Sequence, residues 1–508
     1  MNLIVSTSTF SFFTLISRIL GYVRDILIAI FLGTSLFADA FFVAFRLPNT
    51  FRRLFAEGSF NAAFIPSYAG ELAKNKKQAD HFARNVFNLL FFILLFFILL
   101  AEIFMPHLIY LIAPGFYKNP EKLELAIDLS RITFPFLFFV CLASFFAAIL
   151  NSYNKFAVAA AAPIILNVIL IGSLFFSQWL NISDVLTLSY AVSFAGFLQL
   201  LILLFFVRKN FKPSLSIKIK IDKKIKFFFS KLLPSIFSSG VTQINILVGT
   251  IIASFQAGAV SYLYYADRVY QINLAVAGIA VGTVMLPELS KQIKNNNLEQ
   301  ASNLQNRALE LCLFLSIPAA VALVLASEQI ITSLFGYGSF GIESVNNTAI
   351  ALVFFAFGVP AFSILKIFSN FFFARNNTKL PFYLSVVSVV LNILISVSFF
   401  SKLGFIIIPI ATSISSWINV LLYFYFIKKM DFHNFDSKFI YKFPRILLSV
   451  VVMGIILYLL LGSFSDKFNY NESWKFIYLF IIVMISLLSY FLISNFSGAF
   501  KFRDIKLR

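Results

Sequence analysis

The sequence predicts an all-α polytopic membrane protein of about fourteen transmembrane helices, and three observations carry that expectation. Of its 508 residues, 60% are hydrophobic and only 12% charged, where soluble domains hold roughly half and a quarter. Apolar runs long enough to cross hydrocarbon as a helix, about 20 residues, recur from end to end. The basic residues between these runs alternate between dense and sparse, as a chain crossing a membrane repeatedly requires. A soluble enzyme and a disordered chain are both excluded.

The first run, 5–33, begins without a basic n-region and continues through Arg18, Arg24 and Asp25 to Gly33, so it reads as a retained first span and not a cleaved leader. The second, 37–68, contains Pro48 and is expected to kink there. Runs at 85–112, 127–150, 157–176 and 185–207 complete a group of six. The stretch RKNFKPSLSIKIKIDKKIK at 208–226 then interrupts the hydropathy, and six more runs follow at 228–254, 260–288, 307–327, 347–373, 381–400 and 404–427. Two almost wholly apolar runs, 445–462 and 475–496, end the series. The resulting plan is an N-lobe at 1–207, a basic linker at 208–227, a C-lobe at 228–430, and a C-terminal helix pair with its tail at 431–508.

Net charge is +19, from 41 Lys and Arg against 22 Asp and Glu. Charge alone would point a soluble chain toward nucleic acid, so location decides. One set of alternate loops carries 27 basic residues, while the other carries only Lys118, Lys122, Lys402, Lys467 and Lys475. That bias puts the first set, and both termini, in the cytoplasm. The 208–226 linker is either a topology determinant alone or a segment lying on anionic lipid headgroups. A faint repeat spans this boundary, with YLYYADRVYQ at 262–271 echoing AFFVAFRLPN at 40–49 and pairing Arg268 with Arg46.

Nine basic residues remain inside spans, and Arg18, Arg24, Arg46, Arg52 and Arg53 lie in the first two. Facing lipid at mid-membrane, each would cost ~2.5 to 3.5 kcal/mol. In the first span Thr7, Ser11, Thr14, Arg18, Gly21 and Asp25 recur at helical spacing and form one narrow stripe, with Arg24 beside it. Asp39, Arg46, Thr50, Arg53, Glu57 and Asn61 form a second stripe, from which Arg52 projects on an ideal wheel. Two readings follow: helices lining a hydrated, net-positive cavity, or interhelical ion pairs that hold the bundle together. Five arginines facing Asp25, Asp39 and Glu57 favour the first, because surplus guanidinium groups need an anion, and their planar fork suits phosphate and carboxylate. Arg268 joins them from the eighth span, unless it serves as a salt bridge to Asp267.

The other polar residues say less. Arg131 and Lys231 sit near span ends, where snorkelling is the expectation, and Lys366 and Glu102 stay ambiguous. His81, His107 and His433 lack ligand spacing, and Cys141 and Cys312 lie in apolar runs as buried structural residues. No Walker A pattern, HExxH or acidic metal cluster occurs. No catalytic residue, metal site or cofactor is therefore expected.

The segments SRILGYVRD at 17–25 and ADAFFVAFRLPNTFRRLFAEGSFNAAFIPSY at 38–68 closely resemble the opening of the MurJ (MviN) family of lipid II flippases, within the multidrug/oligosaccharidyl-lipid/polysaccharide (MOP) exporter superfamily. YYADRVYQ and VGTVMLPELS match the same family, so the resemblance covers essentially the whole chain. It implies two six-helix lobes in a V-shaped arrangement around a cationic cavity, and a final helix pair that grooves the lipid tail. The family's cavity arginines carry over onto Arg18, Arg24 and Arg52, with Arg268 and Arg53 beside them, and its functional acids onto Asp25, Asp39 and Glu57. In some members a sodium site lies between helices seven, eleven and twelve. Here Asn392 and Thr412 stand at such positions, Ser396 replaces the expected acid, and the seventh span offers Gln243 and Asn245.

The implied function is translocation of lipid II, an undecaprenyl diphosphate bearing a disaccharide-pentapeptide, from the cytoplasmic to the periplasmic leaflet of the bacterial inner membrane by alternating access. The implied partners are lipid II, membrane lipids and, in some members, a coupling cation, with no nucleic acid. The rivals are a MOP exporter of another polyprenyl-linked glycan or of a cationic drug, a membrane-embedded glycosyltransferase, and a structural scaffold. A drug exporter calls for an acidic cavity, a glycosyltransferase for a catalytic carboxylate on a sizeable outer loop, and a scaffold leaves the arginine surplus unexplained. The topology is directly testable: single cysteines at Lys220 and Ser339 should react with an impermeant reagent from opposite sides of the membrane, and labelling from one side would refute fourteen spans.

Overall fold

The computed structural model describes residues 3–54, 60–217 and 222–500, which are helical nearly throughout and contain no strand. Glu57 of the second stripe, Lys218 and Lys220 of the linker, and the basic tail from Lys501 lie outside the described residues. Packing divides the chain into two compact units, Met1–Val260 and Ser261–Arg508.

The first unit contains α1 (Leu3–Leu32), α2 (Leu36–Leu54), α3 (Phe60–Lys74), α4 (Lys76–Ile103), α5 (Met105–Ile112), α6 (Pro120–Thr133), α7 (Phe136–Ser152), α8 (Phe156–Leu180), α9 (Asp184–Val207) and α10 (Lys223–Ala253). The second contains α11 (Ala259–Leu274), α12 (Val281–Lys294), α13 (Leu298–Leu325), α14 (Ser327–Phe335), α15 (Ile342–Phe373), α16 (Lys379–Leu403), α17 (Ile407–Lys429), α18 (Ser437–Ser463) and α19 (Lys475–Ser497). Among the described residues, every predicted apolar run falls mainly on helix. Among them ten stretches are long and apolar enough to cross a membrane, and α2, with Asp39, Arg46, Arg52 and Arg53 in its 19 residues, is not one of the ten.

Helix boundaries follow local chemistry. Asn75, Asn119, Asp222 and Asp436 cap the starts of α4, α6, α10 and α18, each side chain accepting from a backbone N–H of the first turn. The run predicted at 127–150 divides at Phe134 and Pro135, and the run at 85–112 at Phe104, two residues before Pro106, because proline has no N–H to donate. Asn154, Asn181, Asn296, Asn376 and Asp431 adopt positive φ at or just beyond helix ends, where short polar side chains tolerate the left-handed region.

The units do not divide in the basic linker. α10 follows that linker, yet it packs on α2, α3 and α5 within the first unit. Lys224, at its start, pairs with Glu71 of α3 at 2.6 Å, and Phe228 packs edge-on against Phe60, Phe64 and Phe82. The linker's own first half is also seated: Phe211 is buried against Phe145, and the Ser216 amide donates to Asn88.

In the second unit α15 packs against α13 and α17, and the C-terminal helix pair shares that core. Tyr490 donates to the Phe314 carbonyl at 2.7 Å, Phe500 stacks on Phe314, and Lys442 pairs with Glu310 at 2.6 Å. Lys475, counted above among outer-loop charges, is fully buried. Its ammonium donates to the Gly336 and Tyr470 carbonyls at 2.7 and 2.6 Å and lies 3.9 Å from the Tyr337 ring centroid.

His433, in the α17–α18 loop, is buried against Phe371 and Phe435, with Nδ1 3.2 Å from Gln305 Oε1. Burial pushes its imidazole down to about 4, Asp436 opposing and Arg375 assisting. An unfolded histidine takes up its proton near 6.5, so between these values the unfolded state binds more protons. Stability is complete above about pH 6.5 and falls as pH drops toward 4, by up to about 3 kcal/mol. Melting temperatures in detergent across that window should fall less steeply for His433→Phe than for the parent; equal slopes would remove His433 from the account.

Candidate functional site: charged side chains of the first two helices

The α1 stripe divides into an open part and a closed part. Arg18 is exposed, while Arg24 and Asp25, about two turns on, are 6% and 2% exposed. Arg24 donates through Nε and Nη2 to Asp25 Oδ1 at 3.0 and 2.7 Å, and through Nη1 to Asn167 Oδ1 of α8 at 3.0 Å. The Asn167 amide donates in turn to the Ser17 carbonyl at 2.8 Å. A Cβ at Gly21 would stand 3.6 Å from Asn167 Nδ2, an ordinary van der Waals contact, so the asparagine packs directly over this position. Asn167 thus joins α8 to both the backbone and the guanidinium of α1.

Asp39 does not stand on an open face. It is fully buried in the first turn of α2, where Lys122 of α6 donates to Oδ2 at 2.6 Å and the Gly258 amide donates to the same oxygen at 2.9 Å. The Lys122 ammonium also lies 4.2 Å from the Phe116 ring centroid. Beside this pair, the Gly115 amide donates to Ser254 Oγ at 2.9 Å, and a Cβ at Gly115 would meet the Ser254 backbone at 2.3 Å. Only glycine allows that approach. The turns before α2, before α6 and after α10 are thereby closed into one seam.

Further along α2, Arg46 donates to Thr250 of α10, and Arg52 to Asn49 at 2.9 Å. Arg46, Arg52 and Arg53 are all partly buried. In the second unit Arg268 is partly buried, donates to the Tyr264 hydroxyl at 2.9 Å and covers that ring at 4.9 Å. Asp267, its neighbour, accepts from Gln271. Asn167, Lys122, Thr250 and Tyr264 did not emerge from the sequence. Lys122 stood there only as a loop charge, Tyr264 only within YYADRVYQ, and Asn167 as an isolated amide in an apolar run.

The residues considered for sodium form a neutral chain instead. Asn392 donates to Thr412 at 3.0 Å and accepts from Ser396 at 3.1 Å, while Gln243 and Asn245 lie on α10 of the other unit. Among the described residues no three His, Cys, Asp or Glu side chains gather to hold a metal ion. The first two helices carry guanidinium groups at several positions along their length, some held by amides and acids.

The helical fold is shared with solved transporters of the MOP superfamily. An inward-facing MATE-family multidrug resistance transporter superposes with a TM-score of 0.70 at 16% identity, covering 82% of this chain and 94% of its own. A lipid II flippase MurJ solved in an inward closed conformation gives 0.83 at 30% identity, covering 98% and 99%. The family model described as lipid II flippase MurJ matches residues 28–484. Probable lipid II flippases MurJ from Rhizobium meliloti (strain 1021) and Rickettsia prowazekii (strain Madrid E) are 39% and 37% identical over 90% and 96% of this chain, and 86% and 94% of theirs. The chain belongs to the lipid II flippase MurJ family.

Breaking a buried ion pair by removing one partner typically costs about 3 to 5 kcal/mol. Lys122→Met should therefore lower the melting temperature well below that of Arg18→Ala, whose side chain is exposed, and adding Asp39→Asn should recover part of the loss. Equal melting temperatures for all three variants would show that the seam bears no load.

Proposed function

We propose that this chain translocates lipid II across the bacterial inner membrane for cell-wall synthesis, as a multi-pass transporter and not an enzyme. The observation that supports this reading is Arg18, an exposed guanidinium on the long helix α1, which is read here as the first span and also contains the Arg24–Asp25 pair. An exposed cation at that depth needs water or an anion beside it. The headgroup supplies diphosphate and carboxylates, and a head this polar does not cross hydrocarbon unaided. Arg18, Arg24, Arg52, Arg53 and Arg268 are proposed to hold those anions, in a chain that crosses fourteen times with both termini in the cytoplasm. Asp25 and Glu57 temper the positive field so that the anion can leave, while Asp39 acts through the seam it closes with Lys122 and Gly258. A coupling cation is not required, because moving an anion out of a negative interior is downhill by ~2.3 kcal/mol per charge per 100 mV.

The test is growth of a bacterium depleted of its own lipid II flippase. The parent chain should restore growth. Arg18→Ala should fail to do so while keeping the parent's melting temperature, because an exposed side chain loses little packing. Arg18→Lys should rescue in part, keeping the charge but not the bidentate fork. Full rescue by Arg18→Ala would remove this arginine from the site.

A further inference from the structure

The helix that carries Arg268 is not α-helical throughout. Between α11 and α12, residues Ala275–Ala280 form a π-helical turn. Such a turn holds one residue more than the α-turns on either side, and it occurs mostly at functional positions. Where bonding reverts from i→i−5 to i→i−4, one carbonyl is passed over. The sequence AVAGIAVG at 275–282 is made of small and β-branched residues, and two of its glycines bring the backbone against α15. A Cβ at Gly278 would meet Ser363 Cα at 3.0 Å, and one at Gly282 would meet Asn370 Nδ2 at 2.9 Å.

Those two α15 residues lie two turns apart on one face and are in opposite conditions. Asn370, 9% exposed, donates to the Gly282 carbonyl at 2.8 Å. Ser363 is fully buried, and its hydroxyl has no hydrogen-bond partner among the described residues. A buried hydroxyl without a partner costs stability with no return in this conformation.

We infer that the π-turn is a two-position joint in the Arg268 helix, with Asn370 holding the present position and the Ser363 hydroxyl donating to a carbonyl of the turn in the other. Both are positioning residues: they touch the helix, and the helix carries Arg268. Moving the extra residue along the helix turns the Arg268 half relative to the Pro287 half, with the glycine face sliding on α15. The inference rests on the reading of Arg268 as an anion-binding residue.

Ser363→Ala tests it with little risk to folding. The variant removes an unsatisfied buried hydroxyl, so its melting temperature in detergent should equal or exceed the parent's. It also removes the partner of the second position, so lipid II should reach the outer leaflet of flippase-depleted cells about five- to tenfold more slowly, the shift expected from one lost hydrogen bond. Deleting Val276, which converts the π-turn to α-helix with both flanks in place, should block flipping. If the parent itself fails to restore flipping, the proposed function fails. If the parent succeeds and Ser363→Ala matches it, or if Ser363→Ala loses stability along with flipping, the joint is refuted whatever the deletion does.

Discussion

A protein interior does not tolerate an uncompensated charge, and much of the architecture of the first unit answers to that constraint. Asp39 is the clearest case. A fully buried carboxylate loses several kcal/mol of hydration, recovered here from an ammonium at 2.6 Å and a backbone amide at 2.9 Å. Because these donors come from different turns, neutralising one acid also fixes where α2, α6 and the end of α10 sit. Arg24 is compensated in the same way, by Asp25 and by an asparagine of α8. Charge satisfaction and helix placement are here one process, and it ties α10 to the first unit, whose boundary falls at Val260.

Between these polar fixtures the filling is aromatic. The chain has 68 phenylalanines, and in the first unit a group of them packs ring on ring. Phe60, Phe64 and Tyr68 stack at one-turn intervals along α3, and Phe82, Phe145 and Phe228 close on Phe64 from α4, α7 and α10. Between helices in lipid there is little hydrophobic drive, so contact area and dispersion decide association. Large flat rings supply both. Glycine lets backbones approach at Gly115 and Gly278, where a Cβ would meet backbone atoms of Ser254 and Ser363 at 2.3 and 3.0 Å.

Helix positions were largely legible because spanning segments need long apolar runs, and the runs survive in composition alone. Helix breaks were less so. The division at Pro135 concerns one missing N–H inside an otherwise uniform run. The stripes on α1 and α2 were legible as periodicity, but periodicity gives a face and not what covers it. Asp39 and Arg18 looked alike on the wheel; one is sealed under Lys122 and the other is exposed. Lys122 itself was counted among loop charges, since nothing near PEKLEL reveals that its ammonium turns inward. Lys475 was concealed in the same way by its position at a helix start. The family resemblance covered the chain but gave no account of the π-turn, which leaves no mark in hydropathy.

Cys141 and Cys312 are both buried and unpaired, one in α7 and the other in α13. For a thiol reagent approaching the folded protein, the chain is therefore silent in both units. Spectroscopic probes or cross-linkers can be introduced without first stripping native cysteines, so distances are measurable in the unaltered core. The same two thiols become reactive only when a unit opens, making them internal reporters of unfolding, one for each half of the molecule.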